Sequence, residues 1–395
     1  FSYDIPTEPY LVTHIEDPFG RAATFTYAES AGALRLQSIE DVVGIISSFV
    51  YNESGEMVSM STPYGTTSFS LSPMQIGGGY ELARFIEVTD PLGNRERVEH
   101  NTGSQETGVV GTLENPRPDP LLVNFNTGDM DDRNTFFWDK QQMALAPGDY
   151  SKAHLYHWAQ PAVGGDVSSA VLESERPPLE GRIWYNYAGQ SSPAHMGTLA
   201  KPSIVARVVQ EGGAYATQAS MYSYNAQGNL TQTTDPLGRV TVFEYAANGV
   251  DLVAVKQKVG AGFETLSTFT YDVSDPPHLP RTATDGAGQT TTFAYNAVGQ
   301  VTQVTNPLGE ILSLTYESDP LANGFGMLKT VTGDVPGGNV AFTYDAFNRV
   351  RTASTTDGVT LTYDYDALDR VRVVTYPDGS YEQLEYEDHS LVASR

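Results

Sequence analysis

The chain has 395 residues, 48 of them acidic and 23 basic, for a formal net charge of −25 at pH 7. That charge opposes non-specific binding to nucleic acid or to anionic membrane surfaces. The absence of cysteine removes disulfide and thiolate chemistry, and no apolar run reaches the ~18 residues of a spanning helix.

In chain order, residues 1–100 open a pattern. Phe1/Tyr3, Phe25/Tyr27 and Phe49/Tyr51 are aromatic pairs two residues apart, with the tyrosines 24 apart. A spacing of two places both rings on one face of a strand. Tyr51 opens the stretch YNESGEMVSMSTPYG, which holds two turn signals around an apolar run.

Residues 101–200 break the pattern and hold Trp138, Trp158 and Trp184, all three tryptophans of the chain. This stretch reads as an irregular insertion that packs on or plugs a sheet, or as a small domain of its own. Asp139 to Ala146 and Ser151 to Ala159 are expected as short helices either side of Pro147-Gly148, with Asp149 or Ser151 capping the second. His154 and His157 would then share a helix face, but no third ligand at a known metal spacing accompanies them. Asp129-Met130-Asp131-Asp132-Arg133-Asn134 is oxygen-rich, yet lacks the central Gly and terminal Glu of a calcium loop. It reads as a solvated turn.

Residues 201–395 return to the pattern and show it best. In YNAQGNLTQTTDPLGRVTVFEY, from Tyr224 to Tyr245, turns at Asn225–Gly228 and Asp235-Pro236-Leu237-Gly238 bracket strand-like runs at Leu230–Thr234 and Val240–Tyr245. Gly238, and Gly309 in the equivalent turn after Asn306, supply access to positive φ. Tyr224 to Tyr245, Tyr295 to Tyr316, Tyr344 to Tyr365 and Tyr365 to Tyr386 each span 21 residues. The aromatic companion recurs as Tyr222/Tyr224, Phe243/Tyr245, Phe269/Tyr271, Phe293/Tyr295, Phe342/Tyr344 and Tyr363/Tyr365, and becomes leucine in Leu314/Tyr316 and Leu384/Tyr386. An apolar residue follows the turn at Met57, Leu230, Val301, Val350 and Val371, placed to pack beside the pair from a neighbouring strand. One such hairpin buries too little to be stable alone, so hairpins are expected to stack side by side. The product is all-β: tandem antiparallel hairpins in a long coiled sheet, with the aromatic stripe as packing. A solvent-facing stripe that stacks on sugars is the competing reading.

Tyr-Asp or Tyr-Asn, then Gly or Asn, an apolar residue and an Asp-Pro-Leu-Gly-type turn resemble the YD repeat of the Rhs family, whose relatives include the B and C components of insecticidal toxin complexes and the teneurins. The resemblance covers roughly 1–100 and 201–395. It implies that the sheet is part of a hollow β-cocoon, bacterial and secreted or cell-surface, that encloses or presents a toxin or effector domain. The partners it implies are the remainder of the same polypeptide, including a C-terminal toxin domain. A carbohydrate or surface protein is the alternative partner, under an adhesion reading. The family's self-cleaving Asp-Pro-x-Gly-Leu segment is not present, so no aspartate takes that role. The chain starts at Phe1 and ends at Arg395 inside an apparent repeat, and reads as a piece of a longer polypeptide. No catalytic, cofactor or metal residues are assigned: there is no Gly-x-Ser-x-Gly elbow and no phosphate-binding glycine spacing. An enzyme acting on polysaccharide is the third and weakest reading. It would need an acid, a base and a nucleophile converging in one pocket.

Overall fold

Two runs of β-branched and aromatic residues joined by a short turn pair antiparallel, because the turn returns the chain alongside itself. In the computed structural model this happens repeatedly along the chain. The structure describes residues 1–16, 22–72, 75–77, 80–101, 118–125, 130, 132–162, 168–272, 276–334, 338–386 and 392–394. The fold is all-β. Among the described residues, the helical elements are the α-helix Lys140–Leu145 and the 3-10 turn Tyr150–Lys152.

The chain divides into two units. One comprises Phe1–Phe69, Tyr271–Ala283 and Gln289–Arg395; the other comprises Ser70–Thr270 and Thr284–Gly288. In the first, Ala22–Ser30, Ala33–Glu40, Ile46–Tyr51 and Met57–Thr62 pair in succession. The run Thr290–Tyr295, Val301–Thr305, Ile311–Tyr316, Leu328–Gly333, Val340–Tyr344, Val350–Thr355, Thr360–Tyr365, Val371–Thr375 and Tyr381–Gln383 does the same. In the second unit, strands from Tyr80–Thr89 to Gly262–Tyr271 also pair with their sequence neighbours.

The middle segment departs from expectation. Among its described residues, Asn134–Trp138, His154–Trp158, Leu172–Arg176 and Ile183–Tyr187 are paired strands. The expected first helix forms, and Asp139 caps it in a reciprocal capping box with Gln142. The second does not. After the Asp149-capped 3-10 turn, His154–Trp158 is a strand, with Leu155 and His157 buried and the residues between them half-buried. The alternation His-Leu-Tyr-His-Trp has period two, and pairing on both sides overrides the helical reading. His154 and His157, three apart on a strand, therefore face opposite sides.

A packed core exists in this region. Phe136, Trp138, Leu155 and Trp184 close against Val123, Met130, Met143, Ala206 and Ala219. The core covers the sheet face that carries Trp184, Ala206 and Ala219, which are register partners. By alternation Tyr185, Tyr222 and Tyr224 lie on the other face.

Candidate functional site

The recurring aromatic pairs do not form a closed core. Phe25, Tyr27, Phe49, Tyr51, Tyr224, Phe243, Tyr245, Phe269, Tyr271, Phe293, Tyr295, Tyr316, Phe342, Tyr344, Tyr365 and Tyr386 are all at intermediate burial. What the structure adds is a polar role for the tyrosine.

At Tyr27, Tyr51, Tyr224, Tyr245, Tyr295, Tyr316, Tyr344, Tyr365 and Tyr386 the strand pairing carries a one-residue shift. Thr343 pairs with Thr352 but Tyr344 pairs with Val350, and Asp364 pairs with Val373 but Tyr365 with Val371. The bulge sets two residues of one strand against one of the other. The apolar residue after the turn is thus directly opposite the tyrosine, at Tyr51↔Met57, Tyr224↔Leu230 and Tyr295↔Val301 as well. On its other side that residue stands outside the ladder: Val350–Thr355 pairs with Thr360–Tyr365 only from Thr352↔Thr362 onward. The Val350 carbonyl is met there by the next tyrosine, whose hydroxyl donates to it at 2.8 Å.

This clip repeats along the chain. Tyr27 donates to the carbonyl of Val12, Tyr51 to Leu36, Tyr245 to Leu230, Tyr295 to Pro280, Tyr316 to Val301 and Tyr365 to Val350, at 2.8–3.0 Å and 15 residues upstream each time. Tyr386 donates to Val371, Tyr344 to Leu328 and Tyr224 to Pro202 in the same manner. Each hydroxyl closes a gap that the bulge leaves at the strand end, and each such bond is worth about 0.5–1.5 kcal/mol net. Burial pushes the Tyr224, Tyr295, Tyr344 and Tyr365 hydroxyls upward, which keeps them protonated donors.

The turns are held by their first residue. The side chains of Asp235, Asn306, Asp345 and Asp366 accept from the N–H groups two and four residues on, at 2.9–3.0 Å. The fourth position is left-handed: Gly238 at φ +78 and Gly309 at φ +85, but Asn348 at +61 and Asp369 at +65. Asn and Asp tolerate that region better than other side chains. An arginine four residues on bonds the turn aspartate both with glycine at the fourth position, as Arg239 bonds Asp235, and without it, and in the two copies without glycine it also covers a tyrosine ring. Arg349 bonds Asp345 and lies 4.2 Å over the Tyr365 ring; Arg370 bonds Asp366 and lies 4.3 Å over Tyr386. Partial burial pushes both carboxyls up, but the arginine and backbone N–H bonds outweigh it and hold them below the usual range.

Two features of the middle segment escape sequence reasoning. Tyr187 is a further clip, donating to Leu172 at 2.6 Å across 15 residues. Tyr185-x-Tyr187 was the available signal, hidden by the missing Asp-Pro-Leu-Gly turn. The second feature is a buried ion cluster. His157 lies 3.3 Å from Glu173, and Arg133 lies 4.0 Å from the same carboxylate oxygen, with all three side chains at most 2% exposed. His157 Nδ1 is 3.0 Å from Asn134 Oδ1, and Arg133 Nε donates to the Trp158 carbonyl at 3.1 Å. The groups face one another inside the packed layer, but Glu173 Oε1 and Oε2, His157 Nε2 and Arg133 Nη2 are buried without a hydrogen-bond partner. Of the acidic string, Asp129 and Asp131 lie outside the described residues, as does the turn aspartate Asp17, while Arg133 and Asn134 are buried rather than solvated. Among the described residues, no three His, Cys, Asp or Glu side chains are grouped to hold a metal. No helix there is long and apolar enough to cross a membrane.

The RHS repeat model matches residues 224–249, 278–311 and 344–381. No curated protein matches the chain. Among solved structures, TcdB2-TccC3 without its hypervariable C-terminal region is similar at 11% identity with a TM-score of 0.52, over 94% of this chain and 19% of that one. A Photorhabdus luminescens Tc holotoxin pore with a mutated TccC3 aligns at 12% identity and a TM-score of 0.49, over 93% of this chain and 19% of that one. The chain thus spans about a fifth of the length of these structures, and the likeness to TcdB2-TccC3 is one of fold.

Proposed function

From the premise that this is an RHS-repeat chain, we propose that it is a length of shell wall which encloses or presents a toxin or effector domain of its own polypeptide. The observation that carries the reading is the serial clip, in which each tyrosine fastens its hairpin to the one before. Such a device builds a continuous, self-sealing sheet and forms no reaction centre. The aromatic pairs and turn glycines named above are wall residues, and the chain acts as scaffold rather than enzyme. Residues 1–100 and 201–395 are the hairpin rows, with 101–200 between them in sequence supplying a thickened stretch whose core also takes in Ala206 and Ala219. The TcdB2-TccC3 likeness supports placing such a wall in a secreted or cell-surface bacterial assembly. The test is limited proteolysis of the natural polypeptide beside its non-repeat domains prepared alone. Those domains should resist cleavage within the intact polypeptide and be cut when free of the repeats. Equal cleavage in both settings sinks enclosure.

One observation favours a second reading. His154 and Tyr156 stack at 4.1 Å and Tyr156 and Trp158 at 6.3 Å, on a half-buried strand face beside Glu175, which Tyr185 bonds. Aromatic rows of this kind bind sugar faces. A glycan array on the chain tests it, and signal lost in Trp158→Ala would favour adhesion.

A further inference from the structure

The sheet face opposite the Trp138 core carries a cavity beside its aromatic row. Trp184, Ala206 and Ala219 belong to the core. By alternation their strand neighbours Ile183 and Tyr185, Val205 and Arg207, and Gln218 and Ser220 point the other way. Register places Arg207 between Ile183 and Gln218, and Val205 between Tyr185 and Ser220. Ile183, Val205, Arg207, Gln218, Ser220 and Pro236 line a cavity of about 260 Å³ there.

The polar lining of this cavity is unclaimed. Among the described residues, the side chains of Arg207, Gln218 and Ser220 form no hydrogen bond or ion pair. Other arginines of the chain have acidic partners, as Arg239 has Asp235 at 2.5 Å and Arg95 has Glu87 at 3.2 Å. A guanidinium presents a planar fork of donors that matches a carboxylate. Here an amide and a hydroxyl stand beside the fork, and Ile183, Val205 and Pro236 supply apolar walls. With a net charge of −25, the chain repels polyanions, so the ligand that fits carries one carboxylate rather than a string of charges. The aromatic row leads to the same place. Tyr156 pairs with Glu175, Glu175 with Ile183 and Ile183 with Arg207. Three strand spacings, about 14 Å, therefore separate Tyr156 from Arg207, a distance that a short oligosaccharide spans. Glu175, between them, is already engaged: its carboxylate accepts from the Tyr185 hydroxyl at 2.5 Å and lies 3.1 Å from His154 Nε2. Arg207 is thus the charged group on this path left to select a ligand.

We propose that the cavity is the acid-reading end of a sugar-binding face. The Arg207 fork takes the carboxylate of a uronic-acid ring, Gln218 and Ser220 take hydroxyls of the same ring, and the following rings extend toward Tyr156 and Trp158. The proposal rests on the carbohydrate reading above and adds to it the class of sugar.

Titration calorimetry of the full chain tests this with three probes: glucuronic acid, a glucose trisaccharide, and the same trisaccharide with its terminal ring oxidised to glucuronic acid. The acidic trisaccharide should bind about tenfold or more tighter than the neutral one, as a charge-assisted contact provides, and the advantage should shrink with added salt. Free glucuronic acid should bind more weakly than the acidic trisaccharide. Arg207→Gln, at an exposed side chain, should remove the acid preference and leave the neutral trisaccharide unaffected. Gln218→Glu keeps the side-chain length and sets a carboxylate of the chain itself opposite Arg207, so it should remove the preference as well. Far-UV circular dichroism and thermal melts check that both variants keep the fold. Equal binding of the two trisaccharides overturns the proposal and leaves the carbohydrate reading standing. So does an acid preference that survives either substitution. Glucuronic acid bound as tightly as the acidic trisaccharide overturns the extension over the aromatic row. If neither trisaccharide binds, the proposal and the carbohydrate reading fall together.

Discussion

In the hairpin row from Thr290 to Gln383, no described apolar side chain reaches full burial. Around Trp138, by contrast, Phe136, Leu155 and Val123 are at most 1% exposed. Both regions are antiparallel sheet built from neighbouring strands. The row holds itself with half-buried aromatics, capped turns and one tyrosine hydroxyl per repeat. The middle region adds a second layer, with a capped helix and a buried ion cluster. The comparison teaches that the described residues of the row close no interior of their own. The row's stability is local and additive, as expected where each unit contacts chiefly its neighbours, while the middle region is cooperative and sensitive to single atoms.

That contrast can be broken or sharpened by mutation. The largest effect is expected for Trp138→Ala, at about 3–5 kcal/mol, since the ring is fully buried and its Nε1 donates to the Asp149 carbonyl at 3.0 Å. Urea denaturation followed by tryptophan fluorescence reports on this region, because all three tryptophans lie between 101 and 200. Glu173→Gln comes next, at about 3 kcal/mol, because Arg133 would lose its buried counter-charge. A change below 1 kcal/mol in the same assay would mean that the cluster is wetter than its burial implies.

Among the repeats, two glycines at left-handed φ, Gly324 and Gly238, make a matched pair. A Cβ on Gly324 would stand 2.2 Å from the Tyr344 ring, whereas one on Gly238 meets nothing within 4 Å. Gly238→Ala should cost only the backbone term, about 1–2 kcal/mol. Gly324→Ala should add about 1–3 kcal/mol of overpacking and loosen the Tyr344 clip, read as faster amide exchange at Leu328–Gly333. Equal losses for both would remove the ring contact from the account. Tyr365→Phe keeps the ring and removes the hydroxyl, so about 1 kcal/mol is expected, with exchange rising only near Val350.

The smallest effect per residue comes from pH. Burial raises the pKa of the Tyr224, Tyr295, Tyr344 and Tyr365 hydroxyls above the ordinary tyrosine value of 10.0. A raised value means that the folded state holds the proton more tightly than the unfolded one. Their contribution is therefore complete below pH 10 and lost as pH climbs past it. Thermal melts from neutral to strongly alkaline pH should show the row weakening in that window, and a variant with these four tyrosines changed to phenylalanine should lose the dependence. The turn carboxyls of Asp235, Asp345 and Asp366 act oppositely. Being depressed, they add stability above the ordinary carboxylate range that is lost on acidification.

Much of the row was legible beforehand, because strand alternation and turn chemistry are local. Tyr224–Tyr245 showed its turns and strands in the order observed. The clip was not legible, since a hydroxyl-to-carbonyl bond across 15 residues leaves no composition signal, only a spacing. The middle segment was misread at Ser151–Ala159 because propensity over a short stretch is a weak guide when both flanking strands supply ladder bonds. The ion cluster of Arg133, His157 and Glu173 was invisible because its members come from separate strands and meet only through register.

The clip also has a direction. Each hydroxyl bonds a carbonyl made earlier, at Val301 for Tyr316, Val350 for Tyr365 and Val371 for Tyr386. A ribosome adding about 5–20 residues per second delivers each acceptor before its donor, and takes of order seconds per repeat. A hairpin forms in about 1–10 μs. Each repeat therefore has ample time to lock onto finished sheet before its successor emerges, and chains stalled just past successive tyrosines should gain protease resistance stepwise. The sheet is laid like courses of brick, in the order of the message.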